Sequence, residues 1–64
     1  MNFIKVHKAT NRKQFIILNA RYILKITVPD GLNLTYIDMA DGSRYEVIET
    51  PEEIFEQLEE GEII

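Results

Sequence analysis

The sequence predicts a mostly β (β+α) domain in which five antiparallel strands form a curled, small-barrel-like meander that ends in one α-helix. Three observations predict this fold class. Apolar and polar residues alternate with a period of two, which is typical of half-buried strands. Turn-forming residues separate the alternating segments, and a complete helix-start signal follows the last of them. The predicted elements are strands near residues 2–7, 14–18, 22–28, 32–39 and 43–49 and a helix near residues 51–60.

The first half of the chain supplies three of these strands. The first strand has apolar residues at Phe3, Ile4 and Val6, and a polar segment rich in turn formers, residues 8–13, follows it. The apolar run at residues 15–18 indicates a second strand that is buried on both faces. After a short break, the third strand alternates without interruption over residues 22–28.

Two turns then set a register for the last three strands. Pro29-Asp30-Gly31 predicts a three-residue turn, and Asp41-Gly42 predicts a two-residue type I′ hairpin. Together these loop lengths place six side chains on one common face: Leu24, Ile26, Leu34, Tyr36, Tyr45 and Val47. The opposite face is half apolar, and we expect the helix to cover part of it.

The helix has a strong start signal. Thr50 is placed to cap the free backbone N–H groups, Pro51 occupies the first helical position, and Glu53 occupies the capping-box position. Gly61 is the predicted stop. The apolar stripe of the helix is narrow, so we expect part of the second sheet face to remain uncovered.

The 64 residues contain no cysteine and predict one small domain, whose stability must come from an apolar core or from association. The net charge is −4, but residues 1–32 hold six cations and one acid, whereas residues 33–64 hold one cation and ten acids. This asymmetry indicates an interacting segment or halves that attract each other. The sequence shows neither a signal-peptide core nor an apolar run of about 20 residues, so we expect a cytoplasmic protein without a membrane span.

The sequence offers no residue set for catalysis. His7 is the single histidine and Ser43 the single serine, so neither a nucleophile–base pair nor a zinc ligand set can be assembled. The acidic C-terminal residues lack the spacing of a calcium-binding loop, and a solvated helix face accounts for them. We therefore expect a protein that is not an enzyme and that has no catalytic, metal or cofactor site.

Two surfaces are candidates for binding. The first is the uncovered apolar face, which we expect to contact a protein partner or a second copy of the chain. Its predicted residues are Ile23, Ile37, Met39, Ile48, Phe55 and Ile63. The alternative is a basic patch that binds nucleic acid beside aromatic side chains, as small β domains do. Its predicted residues are Lys5, Lys8, Arg12, Lys13 and Lys25. The negative net charge makes this alternative the less favoured one.

Several of these segments together resemble a known family. The segments are Leu18-Asn19-Ala20, Ile23, Ile26, Pro29-Asp30, Asp41-Gly42 and the run from Tyr45 to Ile54 with Glu49-Thr50-Pro51-Glu52-Glu53. This pattern, over about residues 14–58, resembles the FlbD (SwrD) family of small flagellar-operon proteins. The stretch from His7 to Lys13 departs from it, because the family has a glycine-containing hairpin there. The resemblance implies a non-enzymatic accessory protein that acts through protein contacts. A similar layout also occurs in LytTR-type DNA-binding domains, which are longer and more basic.

Overall fold

The computed structural model describes residues 3–62, with the side chains of residues 3–59, and contains one open sheet and one α-helix in this range. Every paired strand is antiparallel to its neighbour, which confirms the predicted fold class. The elements are β1 (Phe3–Lys8), β2 (Asn11–Asn19), β3 (Ile23–Thr27), β4 (Thr35–Met39), β5 (Arg44–Val47) and α1 (Pro51–Glu62).

The strand order is β2-β1-β5-β4-β3, which is a meander with β5 paired to β1 and an opening between β2 and β3. A 3₁₀ turn of three residues, Ala20–Tyr22, joins the two strands at this opening. Such a link spans at most about 14 Å. In a flat sheet of five strands the two edges would lie about 19 Å apart. The sheet must therefore curl until its edge strands approach each other at the turn.

Alternation in the β1–β2 hairpin directs one side of each strand into the core. Ile4 and Val6 are fully buried, and they lie opposite Leu18, which is buried, and Ile16, which is half-buried. The other side of β2 is exposed, so the predicted burial of this strand on both faces is wrong. The reason is that α1 covers only the concave side of the sheet, and no second helix or sheet within residues 3–62 covers the convex side of β2.

The turn between β4 and β5 differs from the predicted turn by one residue. It contains residues 40–42, because the Gly42 N–H donates to the Met39 carbonyl (3.0 Å) and the Met39 N–H donates to the Ser43 carbonyl (2.8 Å). Gly42 has a φ of 92°, which lies in the left-handed region that glycine adopts without steric cost. The loop is therefore a three-residue hairpin and not the predicted two-residue one.

This difference of one residue exchanges the two faces of β4. Val47 pairs with Thr35 and not, as predicted, with Tyr36. Ile37 and Met39, which we expected on the partly uncovered face, are 0% and 8% exposed and belong to the core. Tyr36 lies on the outer side of the sheet instead.

A bulge in β3 is the second correction to the register. Ile23 pairs with Met39 and Ile26 pairs with Ile37, and the register shifts between these two pairs. The extra residue lets Ile23 and Ile26 both pack against the core although they are three positions apart. Leu24 is left 70% exposed. The predicted common face of Leu24 and Ile26 is therefore wrong, because the bulge interrupts the alternation that the sequence suggests.

The connection between β3 and β4 is also longer than predicted. Residues 28–34 lie outside both strands, whereas we expected a turn of three residues. Within this loop the Leu32 N–H lies 3.5 Å from the Pro29 carbonyl, and Gly31 has a positive φ of 79°. The predicted turn residues thus form a turn, but they form it inside a wider loop.

Helix α1 begins as predicted and supplies the cover of the core. The Glu53 N–H donates to the Thr50 hydroxyl and the Thr50 N–H donates to the Glu53 carboxylate, both at 3.2 Å, which confirms the capping box. The helix continues through Glu62, so the predicted stop at Gly61 is wrong. Glycine permits a helix end but does not impose one. Ile54 is fully buried at the centre of the core.

On the edge of β1 that faces away from β2, side chains make most of the hydrogen bonds to the backbone. Within the described residues β1 and β5 pair only at Lys8 and Val47, and residues from the helix and the segment before it take over the role of β5. The bonds along this edge run from the Ile48 N–H to the His7 carbonyl (3.1 Å), from the His7 N–H to Glu49 Oε1 (2.8 Å), from the Lys5 N–H to Gln57 Oε1 (2.7 Å) and from Gln57 Nε2 to the Lys5 carbonyl (3.0 Å). Gln57 thereby makes both hydrogen bonds that a strand residue would make.

We predict that Gln57→Met lowers the free energy of unfolding by about 1 kcal/mol, because methionine fills similar space but bonds neither backbone group of Lys5. Urea denaturation followed by circular dichroism measures this change. Glu56→Met is the matched control, since Glu56 is exposed on the same helix, and it should change stability by less than about 0.5 kcal/mol. Equal losses in the two variants would contradict the role assigned to Gln57.

Candidate interaction surface

The outer side of the β1–β2 hairpin presents large apolar side chains to solvent. Phe3, Phe15 and Ile17 are 52%, 52% and 57% exposed. They share this side because the alternate residues of both strands point into the core. We call this surface the hairpin face, and its residues are Phe3, Lys5, His7, Phe15 and Ile17.

Two neighbours fix the position of the Phe15 ring on the hairpin face. The Lys5 ammonium lies 4.3 Å from the ring centroid, which is the geometry of a cation–π contact. The His7 ring lies edge-on, with its centroid 6.3 Å away and an interplanar angle of 61°. Phe15 is therefore exposed and held in place at the same time.

Glu49 in turn holds His7. Its Oε1 accepts the His7 backbone N–H at 2.8 Å, and its Oε2 lies 2.6 Å from His7 Nδ1. A carboxylate only accepts hydrogen bonds, so Nδ1 carries the proton in this contact. Glu49 is buried, and one carboxylate therefore connects the edge of β1 to the aromatic part of the hairpin face.

The residues predicted to form an apolar interface do not lie on one surface. Ile37 and Met39 belong to the core because the register of β4 differs by one residue from the prediction. This removes both side chains from the surface of the chain. Ile63 lies outside the described residues.

The other three residues of that prediction lie in two grooves. Ile23 and the exposed Phe55 line a groove of about 320 Å³ between β3 and α1. Ile48 lines a different groove of about 420 Å³, beside the loop at 28–34. A third groove of about 490 Å³, at the curled end of the sheet, is bordered by Ile17 and Tyr22.

The hairpin holds four of the five residues of the predicted basic patch, namely Lys5, Lys8, Arg12 and Lys13. The fifth, Lys25, belongs to β3 at the opposite end of the strand order. Its ammonium lies 4.0 Å from Asp38 Oδ2, within an ion pair. Four of the predicted basic residues thus belong to the hairpin, and Lys25 lies apart from them.

The predicted apolar interface did not include Phe3, Phe15 and Ile17, which the structure exposes on one face. For β1 the signal was present, because Phe3 alternates with the buried Ile4 and Val6. For β2 it was absent, because an unbroken apolar run does not show which side faces the core.

The outer side of β4 and β5 is polar and ion-paired. Arg44 Nε donates to Asp38 Oδ1 at 2.7 Å, and the Arg44 guanidinium lies 4.8 Å from the centroid of the Tyr36 ring. The hydrogen bond from Arg44 is the main cause that holds the pKa of Asp38 below its ordinary value, and desolvation opposes it. The hydrogen bond from the Ser43 backbone N–H likewise lowers the pKa of Asp41.

Among the described side chains, those of residues 3–59, no group of three or more His, Asp or Glu is arranged to hold a metal ion. Within residues 3–62 no helix has both the length and the apolar character that crossing a membrane requires. A comparison of the chain with protein-family models, curated proteins and solved structures finds no match. The resemblance to the FlbD (SwrD) family stays a prediction.

We predict that the Asp38–Arg44 pair contributes to the acid sensitivity of the fold. The pKa of Asp38 is lowered in the folded chain, so its contribution is present above the ordinary pKa of 3.8 and is lost as the pH falls through the folded value. Asp38→Asn should flatten the dependence of unfolding free energy on pH below about pH 4. Arg44→Gln should have the same effect, because Arg44 is the main cause of the shift.

Urea denaturation at a series of pH values measures this dependence. The double variant is the control, and it should show no more flattening than either single variant. An unchanged pH dependence in Asp38→Asn would contradict the assignment.

Proposed function

We propose that the chain is a small, non-enzymatic protein-interaction module that binds a protein partner through the hairpin face. The observation that carries this proposal is the exposure of Phe3, Phe15 and Ile17 on one side of two paired strands, each more than half accessible to solvent. Exposed apolar side chains that adjoin one another mark contact surfaces in soluble proteins. Aromatic side chains are also enriched among the residues that contribute most to binding.

The side chains of the hairpin face are held in fixed positions, which supports the same proposal. Lys5 and His7 hold the Phe15 ring, and the buried Glu49 holds His7. A side chain that is already fixed loses less conformational freedom when a partner binds. The hairpin also carries four cations, Lys5, Lys8, Arg12 and Lys13, and no acidic residue, which favours a partner with negative charge.

Two further parts of the proposal derive from the sequence. The resemblance to the FlbD (SwrD) family supports an accessory protein that acts through protein contacts. The chain also has no cysteine and therefore needs no disulfide, which fits a reducing compartment, and we place it in the cytoplasm.

Site-specific photo-crosslinking in the cells that produce the protein tests the proposal. We expect p-benzoylphenylalanine in place of Phe15 to form discrete protein adducts on irradiation. The same photoreactive residue in place of Leu32 is the matched control, because Leu32 is about equally exposed but lies in the loop at 28–34. Absence of adducts at Phe15, or the same adducts at both positions, would contradict the proposal.

A second candidate function is the binding of single-stranded nucleic acid. The contact between Lys5 and Phe15 supports it, because a cation beside an exposed aromatic ring is the arrangement on which bases stack next to a phosphate. The net charge of −4 opposes it.

Fluorescence anisotropy with single- and double-stranded oligonucleotides distinguishes the two functions. A protein-interaction module should bind neither oligonucleotide at low salt. Binding that weakens steeply with salt, and that both Lys5→Gln and Phe15→Leu reduce, would favour the nucleic-acid function. Glu52→Gln is the control, because Glu52 is exposed on α1, away from the hairpin face.

A further inference from the structure

The backbone of β1 determines which groups of β2 are free. The N–H and C=O groups of Lys5 and His7 point away from β2, since they bond Gln57, Glu49 and the segment after β5. Successive residues of a strand direct these groups to opposite edges. The backbone groups of Ile4 and Val6 therefore point toward β2.

The register of the hairpin fixes which backbone groups of β2 bond to β1. Ile4 lies opposite Leu18 and Val6 lies opposite Ile16, so these pairs make the hydrogen bonds of the hairpin. The intervening residues, Phe15 and Ile17, direct their N–H and C=O groups to the other edge of β2. In the described part of the chain no strand pairs with that edge.

The two free edges of the sheet differ in how they are protected. β3 has five residues, it is bulged, it carries the exposed Lys25, and Pro29 follows it closely. Bulges, lysines and prolines are the devices that block the addition of a strand. β2 has nine residues, and residues 15–18 contain no charge and no proline. Its register shift is confined to the part before Phe15.

We propose that the free edge of β2 at Phe15 and Ile17 binds an extended, acidic segment of a partner protein by β-strand addition. This inference rests on the proposed function and gives it a binding mode and a partner chemistry. The added strand would receive and donate hydrogen bonds at Phe15 and Ile17. Its apolar side chains would extend the hairpin face, and its acidic side chains would lie near the cations of the hairpin.

The positive charge of the hairpin indicates that the added strand is acidic. The chain has no acidic residue before Asp30, while Lys5, Arg12 and Lys13 are exposed on the hairpin. The β2 strand of a second copy would bring two further cations, Arg12 and Lys13, and no acidic residue to this edge. An acidic strand would bring attraction instead.

Selection from a display library of random peptides of about twelve residues, longer than a typical strand, tests the proposal on the whole chain. We expect the enriched peptides to combine acidic with β-branched or aromatic residues and to lack proline. The proposal is overturned if no peptide is enriched, or if the enriched peptides are basic or rich in proline.

N-methylation of the best peptide then tests the binding mode without altering the protein. Methylation removes the backbone N–H donor of one peptide residue. At residues whose N–H faces β2, it should weaken binding by about tenfold or more. Methylation of the alternate residues, which point away from β2, is the matched control and should have little effect. Equal effects at both sets would overturn strand addition.

Amide hydrogen exchange by NMR locates the edge directly. In the chain alone we expect the amides of Phe15 and Ile17 to exchange fast and those of Ile16 and Leu18 to exchange slowly. Addition of the peptide should protect Phe15 and Ile17. Protection that already rises with the concentration of the chain alone would show pairing between copies and would overturn the acidic partner.

These results separate the inference from the proposed function. Photo-crosslinks at Phe15 together with peptides that leave the amides of Phe15 and Ile17 unprotected would overturn strand addition and leave the interaction module standing. Absence of both crosslinks and enriched peptides would overturn the two proposals together.

Discussion

The need of β1 to bond on both of its edges is the constraint on which the rest of the structure depends. β2 makes the hydrogen bonds of one edge, while β5, Glu49 and Gln57 make those of the other edge. Backbone groups that are buried without a hydrogen-bond partner cost free energy, so the part of this edge that the helix covers has to be completed. Because Gln57 belongs to α1, the bonds that complete β1 also position the helix. Ile54 then enters the core at a fixed place and not merely on a suitable face.

The same constraint shapes the surface. The bonds of Lys5 and His7 to the helix side determine which residues of β2 bond to β1, and therefore which residues reach the free edge. Glu49 has a part in both, because one of its oxygens completes the edge of β1 and the other holds His7 beside Phe15. Core, edge and exposed aromatic ring are thus linked through a few hydrogen bonds. A substitution of Glu49 should therefore change the position of the His7 and Phe15 side chains as well as the stability of the fold.

Local signals predicted the elements well and the faces poorly. The capping box of Thr50 and Glu53 was predictable, because it involves residues three positions apart. The register was not, because Asp41-Gly42 fits a hairpin loop of two residues and one of three. The choice between them is made by the burial of Ile37, which is a property of the whole core. The predicted interface depended on that choice, so two of its six residues, Ile37 and Met39, lie in the core instead.

The exposed apolar residues follow from the number of layers in the fold. A sheet has two sides, and the described part of this chain contains one helix to cover them. The helix covers the concave side, where Ile54 completes the core. Phe15 and Ile17 cannot be buried on the convex side without a second layer, which this chain does not provide within residues 3–62. The partner that we propose for the hairpin face would supply this second layer and remove Phe15 and Ile17 from water.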